Sequence, residues 1–237
     1  MLNINVLCAV AEMRIQQLSG TLPNSKILIL LYGGKLKVAE GVELIDGTMA
    51  NAYHVSAGGN EILIDAGTKN SAKKIISYFT QRKLKPDTVL VTHYHPDHIG
   101  GLKSVVDMFH PGVYVHEKDR GVLLGTEKVI PARSLLSKMV AALSHTDAIS
   151  SVNDVRDLRL SEITVIETPG HTKGSVSFMI RDRGIVFVGD AIVIKGGKPE
   201  LSKTFTLDMD AARKSVEKIM SMHPSLILSG HGKPLTL

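Results

Sequence analysis

Residues 93–98, "HYHPDH", place three histidines and an aspartate within six positions. Imidazole and carboxylate together suit zinc, iron or manganese. Three later segments offer ligands of the same types: His171 in "ETPGH", Asp190 in "FVGDA" and His231 in "LSGHG". A lone His-x-His is weak evidence for a metal. Four ligating groups in six residues, followed by three more, are poorly explained as surface histidines. Side chains two apart on a strand share a face. His93 and His95, closing the apolar run that starts at Asp87, can therefore face one ion. Pro96 ends that strand and biases His95 towards an extended backbone. The chain then turns and brings Asp97 and His98 to a second position close by. Gly100-Gly101 lets the next helix approach closely. The spacing makes two adjacent metal pockets from one loop.

Short apolar runs alternating with helical patterns must position these groups. Strands are expected at 27–32, 37–45, 51–59, 61–67, 87–93, 112–117, 162–170, 175–182, 184–191 and 226–232. Helices are expected from Asn70 or Ser71, over 101–109, over 208–222, and across 119–150 with a break at Pro131. Each candidate ligand falls at a strand-to-loop junction. The order is β-rich with helices interspersed, which favours two packed sheets covered by helices.

The 237 residues, 43% hydrophobic and 22% charged, suffice for one domain with a sizeable core. The first 36 residues read as an N-terminal extension carrying strands of that domain. A net charge of +5 is mild, and no run of like charges stands out, so no nucleic-acid partner is expected. The single cysteine, Cys8, excludes an intrachain disulfide and fits a reducing compartment. The N-terminus lacks a positively charged leader, and no apolar run reaches the ~18 residues of a membrane span. A cytoplasmic protein acting on a small molecule, without a membrane partner, is the expectation.

In this order, "THYHPDHIGG", "ETPGHTKGS", "VGDA" and "SGHG" resemble the motifs of the metallo-β-lactamase superfamily, and "ILIDAGT" resembles its early aspartate motif. The resemblance spans about residue 38 to 237. It implies an α/β fold: a four-layer αββα sandwich of two mixed β-sheets flanked by helices, with a two-metal site at one edge. It implies that His93, His95 and His171 hold the first metal, that Asp97, His98 and His231 hold the second, and that Asp190 bridges both. Asp65 would lie behind the ligands and orient them. Two divalent ions are implied, zinc before iron or manganese. They would share a water of lowered pKa as the nucleophile, with Asp97 accepting its proton as the catalytic residue.

An aspartate at position 190 is similar to the glyoxalase II and general hydrolase version of the site, so a small ester, thioester or lactone is the implied substrate. Lactam cleavage is not implied. Only six residues follow His231, too few for the helical region with which glyoxalase II binds glutathione. No tyrosine follows Asp190 closely, unlike the acyl-homoserine lactonases, and neither an exosite arm nor an inserted domain marks a nuclease. The rival readings are a persulfide dioxygenase using one iron and an inactive metal-binding scaffold. Among other residues, His54 reads as a partly exposed strand residue, His116 as a surface residue, and His110 and His223 as loop residues. Lys173 and Lys195 read as solvated. The stripe Leu135, Leu136, Met139, Val140 and Leu143 reads as core by default. A substrate wall or a homodimer face is the sharper alternative, and the stretch around it, including His145, reads as a cap over the site.

Overall fold

The computed structural model describes residues 30–32, 35–144 and 146–237. Cys8, His145 and most of the N-terminal segment lie outside these residues. The first sheet carries β1 (Leu30–Tyr32), β2 (Lys35–Ala39), β3 (Val42–Ile45), β4 (Ala52–Ala57) and β5 (Asn60–Ile64). Helix α1 (Ala72–Gln81) leads to β6 (Thr88–Leu90), the single turn α2 (Pro96–Ile99), α3 (Leu102–Phe109), β7 (Gly112–Val115) and α4 (Glu117–Leu123). Then come α5 (Leu135–Leu143) and β8 (Asn153–Asp154). These eight strands lie in sequence order, antiparallel through β5 and parallel from β5 to β8.

The second sheet is built from β9 (Ile163–Glu167), β10 (Val176–Ile180), β11 (Ile185–Gly189), β14 (Leu226–Ser229) and β15 (Leu235–Thr236), in the order β15-β14-β11-β10-β9. Only β11 and β14 run parallel in it. Between them lie the hairpin β12 (Val193–Lys195) and β13 (Lys198–Glu200), and helix α6 (Met209–Ser221), whose Asp208 side chain accepts hydrogen bonds from the Asp210 and Ala211 N–H groups.

Period-two alternation makes the layers. Ile62 and Ile64 of β5, Leu90 of β6, Phe178 of β10, Phe187 of β11 and Leu228 of β14 pack between the sheets. Their chain neighbours point the other way. Leu63 and Val89 pack with Ile75 and Phe79 of α1, Val105 of α3 and Val122 of α4. On the far side, Met179, Val186 and Ile227 pack with Ile219 of α6. The result is the expected αββα sandwich of two mixed sheets. The parallel pairs β5–β6 and β11–β14 bring their C-terminal ends, and hence residues 65, 91–98, 190 and 231, to one edge.

Several boundaries differ from expectation. Residues 37–45 are not one strand but the hairpin β2–β3, turning at Glu40-Gly41. The strand expected over 87–93 ends at Leu90, so His93 and His95 lie in an extended loop beyond it. Pro96 opens helix α2, with His95 extended before it at φ −63° and ψ 144°. Across 119–150 the break expected at Pro131 is present, but the helices on either side of it are short, Glu117–Leu123 and Leu135–Leu143. The hairpin β12–β13 was not expected, although Gly196-Gly197 between its strands is a strong turn signal.

Gly101 shows how closely the parts of the edge approach. A Cβ there would lie 2.3 Å from the Ala66 carbonyl oxygen. Gly101→Ala should therefore lower unfolding stability by about 1–3 kcal/mol, the usual cost of overpacking. Chemical denaturation checks this, and an unchanged midpoint would contradict it.

Candidate metal centre

Asp65 anchors the site. It follows β5 with a left-handed backbone, φ 58°. Its Oδ1 accepts a hydrogen bond from Thr92 N–H at 2.8 Å, and Oδ2 accepts from Thr92 Oγ1 and His98 Nδ1, each at 2.7 Å. A carboxylate can only accept, so His98 carries a proton on Nδ1 and turns Nε2 towards the site. Thr92 spends its one hydroxyl proton on Asp65. It must then accept from His93 Nδ1, 3.0 Å away, which leaves His93 Nε2 facing the site as well.

His93 Nε2 lies 3.1 Å from His95 Nδ1, and His171 Nε2 lies 2.8 Å from the same atom. Asp97 Oδ2 is 3.1 Å from His231 Nε2. Asp190 stands between these groups. Its Oδ1 is 3.4 Å from His98 Nε2, and its Oδ2 is 3.5 Å from both His171 Nε2 and His231 Nε2. Three triads thus have their ligand atoms within 4.8 Å of one another: His93, His95 and His171; Asp97, His98 and His231; and His93, His98 and Asp190. Gly230 borders the pit so closely that a Cβ there would lie 2.5 Å from both Asp190 Oδ1 and His98 Cε1.

The donor set fits divalent cations. His98 Nε2 and Asp190 Oδ1 are buried without a hydrogen-bond partner. A buried carboxylate oxygen is costly unless something positive meets it, and a buried imidazole nitrogen is costly without a partner. Burial holds His93 well below the ordinary imidazole value, and neighbouring imidazoles add to the effect. Burial likewise brings His95 to about 3 and His171 to about 4. These three are neutral ligands ready for a metal. For His98, burial pulls down but Asp65 and Asp190 outweigh it, so its pKa stands well above normal. His231 is also raised, because its bond to Asp97 outweighs burial. Asp97 falls to about 2, the His231 bond overcoming burial, and Asp190 lies below the ordinary carboxylate range because His98, His171 and His231 outweigh its burial.

One positioning residue escaped the sequence reading. Asp119 of α4 is fully buried between two ligand loops. It accepts from Tyr94 N–H at 3.1 Å, Thr172 Oγ1 at 2.8 Å and Gly174 N–H at 2.8 Å. It therefore ties the His93–His95 loop to the His171 loop. Burial pushes its carboxyl up to about 6 against the pull of these donors. The available signal was a charged residue sharing a helix face with the buried Val122 and Leu123.

Other histidines stay away from the pit. His54 is buried rather than partly exposed, bonded to Tyr78 Oη at 2.7 Å and to Glu61. His116 is buried rather than at the surface, and its Nδ1 accepts from Lys118 N–H to cap α4. His110 and His223 end α3 and α6 in the left-handed region. Lys173 and Lys195 are exposed.

The apolar stripe of α5 is not core: Leu135 is 74% and Leu143 83% exposed, with Leu136 and Met139 exposed beside them. The helix instead turns Ser137, Val140, Ala141 and Ser144 towards a cavity of about 550 Å³ that His95, Asp97, Asp190 and His231 also line.

The model of the metallo-beta-lactamase superfamily matches residues 45–231. The chain belongs to that superfamily. A relative in Bacillus subtilis, the probable metallo-hydrolase YflN, is 32% identical over 235 residues, covering 86% of this chain and 88% of YflN. Among solved structures of the superfamily fold, TTHA1623 in a di-iron-bound form shares 27% identity at a TM-score of 0.65, covering 81% of this chain and 92% of that one. The B3 metallo-beta-lactamase BLEG-1 shares 25% at 0.62, covering 82% and 93%. The chain is thus a metallo-hydrolase-type superfamily member with a His/Asp cluster suited to metal. Among its described residues, no helix is long and apolar enough to cross a membrane.

The protonation pattern predicts an order of loading. Metal binding at His98 and His231 must displace protons, whereas His93, His95 and His171 have already lost theirs. Zinc titrations on either side of the ordinary imidazole pKa, ~6.5, should show the second equivalent weakening more steeply than the first as pH falls. Equal pH dependence of the two steps would contradict this.

Proposed function

We propose that the protein is a dinuclear metallohydrolase that cleaves a small ester, thioester or lactone. The observation that carries this reading is the pair of ligand triads with Asp190 within reach of both. In it, His93, His95 and His171 would hold one ion, Asp97, His98 and His231 would hold the other, and Asp190 would be shared between them. Zinc is the first choice of metal, with iron or manganese as alternatives. The di-iron form of TTHA1623 supports a pair of ions in such a site.

Two divalent ions bound there supply an activated water and a Lewis acid for the substrate carbonyl. The chain does the rest. Asp65 fixes the tautomers of His98 directly and of His93 through Thr92. Asp119 holds the His95 and His171 loops together. Asp97, ionised beside His231 with its pKa lowered to about 2, would accept a hydrogen bond from the attacking water and orient it; so weak a base would hand the proton on rather than keep it. Asp190 offers two oxygens to two cations, so its charge offsets their mutual repulsion. The same ligand arrangement supports hydrolysis over the one-iron dioxygenase reading, because the Asp97, His98 and His231 triad would otherwise have no cation to meet.

Removing the metals tests this. Chelator-stripped protein should lose hydrolysis across a panel of thioesters, esters and lactones, and recover it with zinc, iron or manganese. Asp190→Asn should hold at least one ion less tightly and lose well over roughly tenfold in kcat. Full activity in verified metal-free protein would refute the reading, as would one iron per chain with oxygen uptake on a persulfide.

A further inference from the structure

The cavity beside the candidate metal ligands is lined on several sides by apolar side chains. His95, Asp97, Asp190 and His231 are part of its lining, so a carbonyl placed beside them lies at the candidate ligand atoms. Away from them the lining is apolar: Met49, Val129, Val140, Ala141, Val193 and Phe205. These come from four separate parts of the chain, namely the β3–β4 loop, the cap with α5, β12, and the loop before α6. The cap is pinned in place. Ser134 Oγ donates to the Thr204 carbonyl at 2.8 Å, and Tyr94 Oη to the Ile130 carbonyl at 3.1 Å.

Hydroxyls in the wall do not make it polar. Ser137 Oγ accepts from Ala132 N–H at 2.8 Å, and Ser144 Oγ donates to the Val140 carbonyl at 2.6 Å. Thr68 Oγ1 pairs with Ser71 Oγ at 2.9 Å. These three are committed within the protein, which leaves Ser202 as the remaining lining hydroxyl in a wall that is otherwise largely carbon. The one cation of the lining, Lys69, is 66% exposed and paired with Asp147 at 2.7 Å, so its charge is partly met and screened by solvent. The positive net charge of the chain is thus not focused on this cavity. About 550 Å³ falls within the range of roughly 300–1,000 Å³ that takes drug-sized ligands, and an acetyl group would leave most of it empty.

We infer that this cavity is an acyl-binding site, and that the substrate is an ester or thioester of an unbranched, apolar, medium-chain acid. The inference rests on the hydrolase reading above and narrows it. The carrier end of such a substrate is the more polar one and stays at the open mouth. The acyl chain runs along Val193, Phe205 and the Val140–Ala141 face of α5. In the reaction the acyl C–S or C–O bond breaks and water adds across it. The hydroxyl goes to the acyl carbon, one proton goes to the departing thiolate or alkoxide, and the acid then ionises.

Two measurements separate the pocket from the chemistry. Calorimetric titration of metal-loaded protein with acetate, butyrate, hexanoate and octanoate reads the pocket without turnover. Affinity should rise along the series, with octanoate binding about tenfold or more tighter than acetate, in keeping with the discrimination that methylenes give in an apolar pocket. Ala141→Phe should shorten the preferred chain. Val193→Phe, on a different element, should do the same, so failure of one variant to fold leaves the other to decide. Affinity that is flat along the series, or a preference that neither folded variant moves, overturns the inference. Turnover of p-nitrophenyl esters of the same acids is the second measurement. A matching rise in kcat/KM supports the inference. Turnover combined with flat binding refutes the pocket and leaves the hydrolase. Graded binding without any ester or thioester turnover keeps the pocket and sinks the hydrolase reading.

Discussion

One buried carboxylate sets the state of the whole centre. Asp65 takes three hydrogen bonds, two from Thr92 and one from His98, and through them decides which nitrogen of His93 and of His98 faces the site. Either imidazole with its proton on the other nitrogen would present a donor to a cation. The left-handed backbone at Asp65 is part of the same arrangement, since it turns the chain out of β5 and sends the carboxylate across to the end of β6. An aspartate tolerates that conformation better than most residues do. The ligands stand on loops, yet these loops are fixed by buried hydrogen bonds to Asp65 on one side and Asp119 on the other. Preorganisation of this kind lets a loop-built site hold metal geometry.

Much of this was legible in the residue order. The β6 loop announces itself through ligand density, and His171, Asp190 and His231 through their place after apolar strands. An uninterrupted apolar run such as Ile62-Leu63-Ile64 marks a strand covered on both faces, as in a layered sandwich. The failures have physical causes. His54 and His116 read as exposed because a histidine in a short strand carries no sign of its partners; Tyr78 and Glu61 satisfy the first, and the end of α4 orders the second. The role of Asp119 depends on Thr172 and Gly174, more than fifty residues away, and local pattern does not reach that far. The stripe on α5 has helical period, but period gives only the faces of a helix and not what covers each of them.

The two sides of the centre are built differently. Behind the ligands lie sheet ends, two carboxylate clamps and close backbone approaches, with little room for change. In front lies a cap of short helix and irregular chain, joined to its neighbours by a few hydrogen bonds such as Ser134 to Thr204. On the proposed reading, chemistry is tied to the sandwich and substrate choice to the cap. A superfamily that keeps one metal-binding edge can vary its substrates by altering such a segment, because the cost in stability is small where few buried contacts are involved.

The central claim is that this edge holds two cations bridged by Asp190. Anomalous diffraction from crystals of metal-loaded protein, recorded on either side of the metal absorption edge, tests it most directly. The account predicts two peaks of comparable height, roughly 3.5–4 Å apart, with the Asp190 carboxylate between them and His98 Nε2 on the second. A single peak bound by His93, His95 and His171 alone, with Asp97 and His231 still paired to each other, would contradict it.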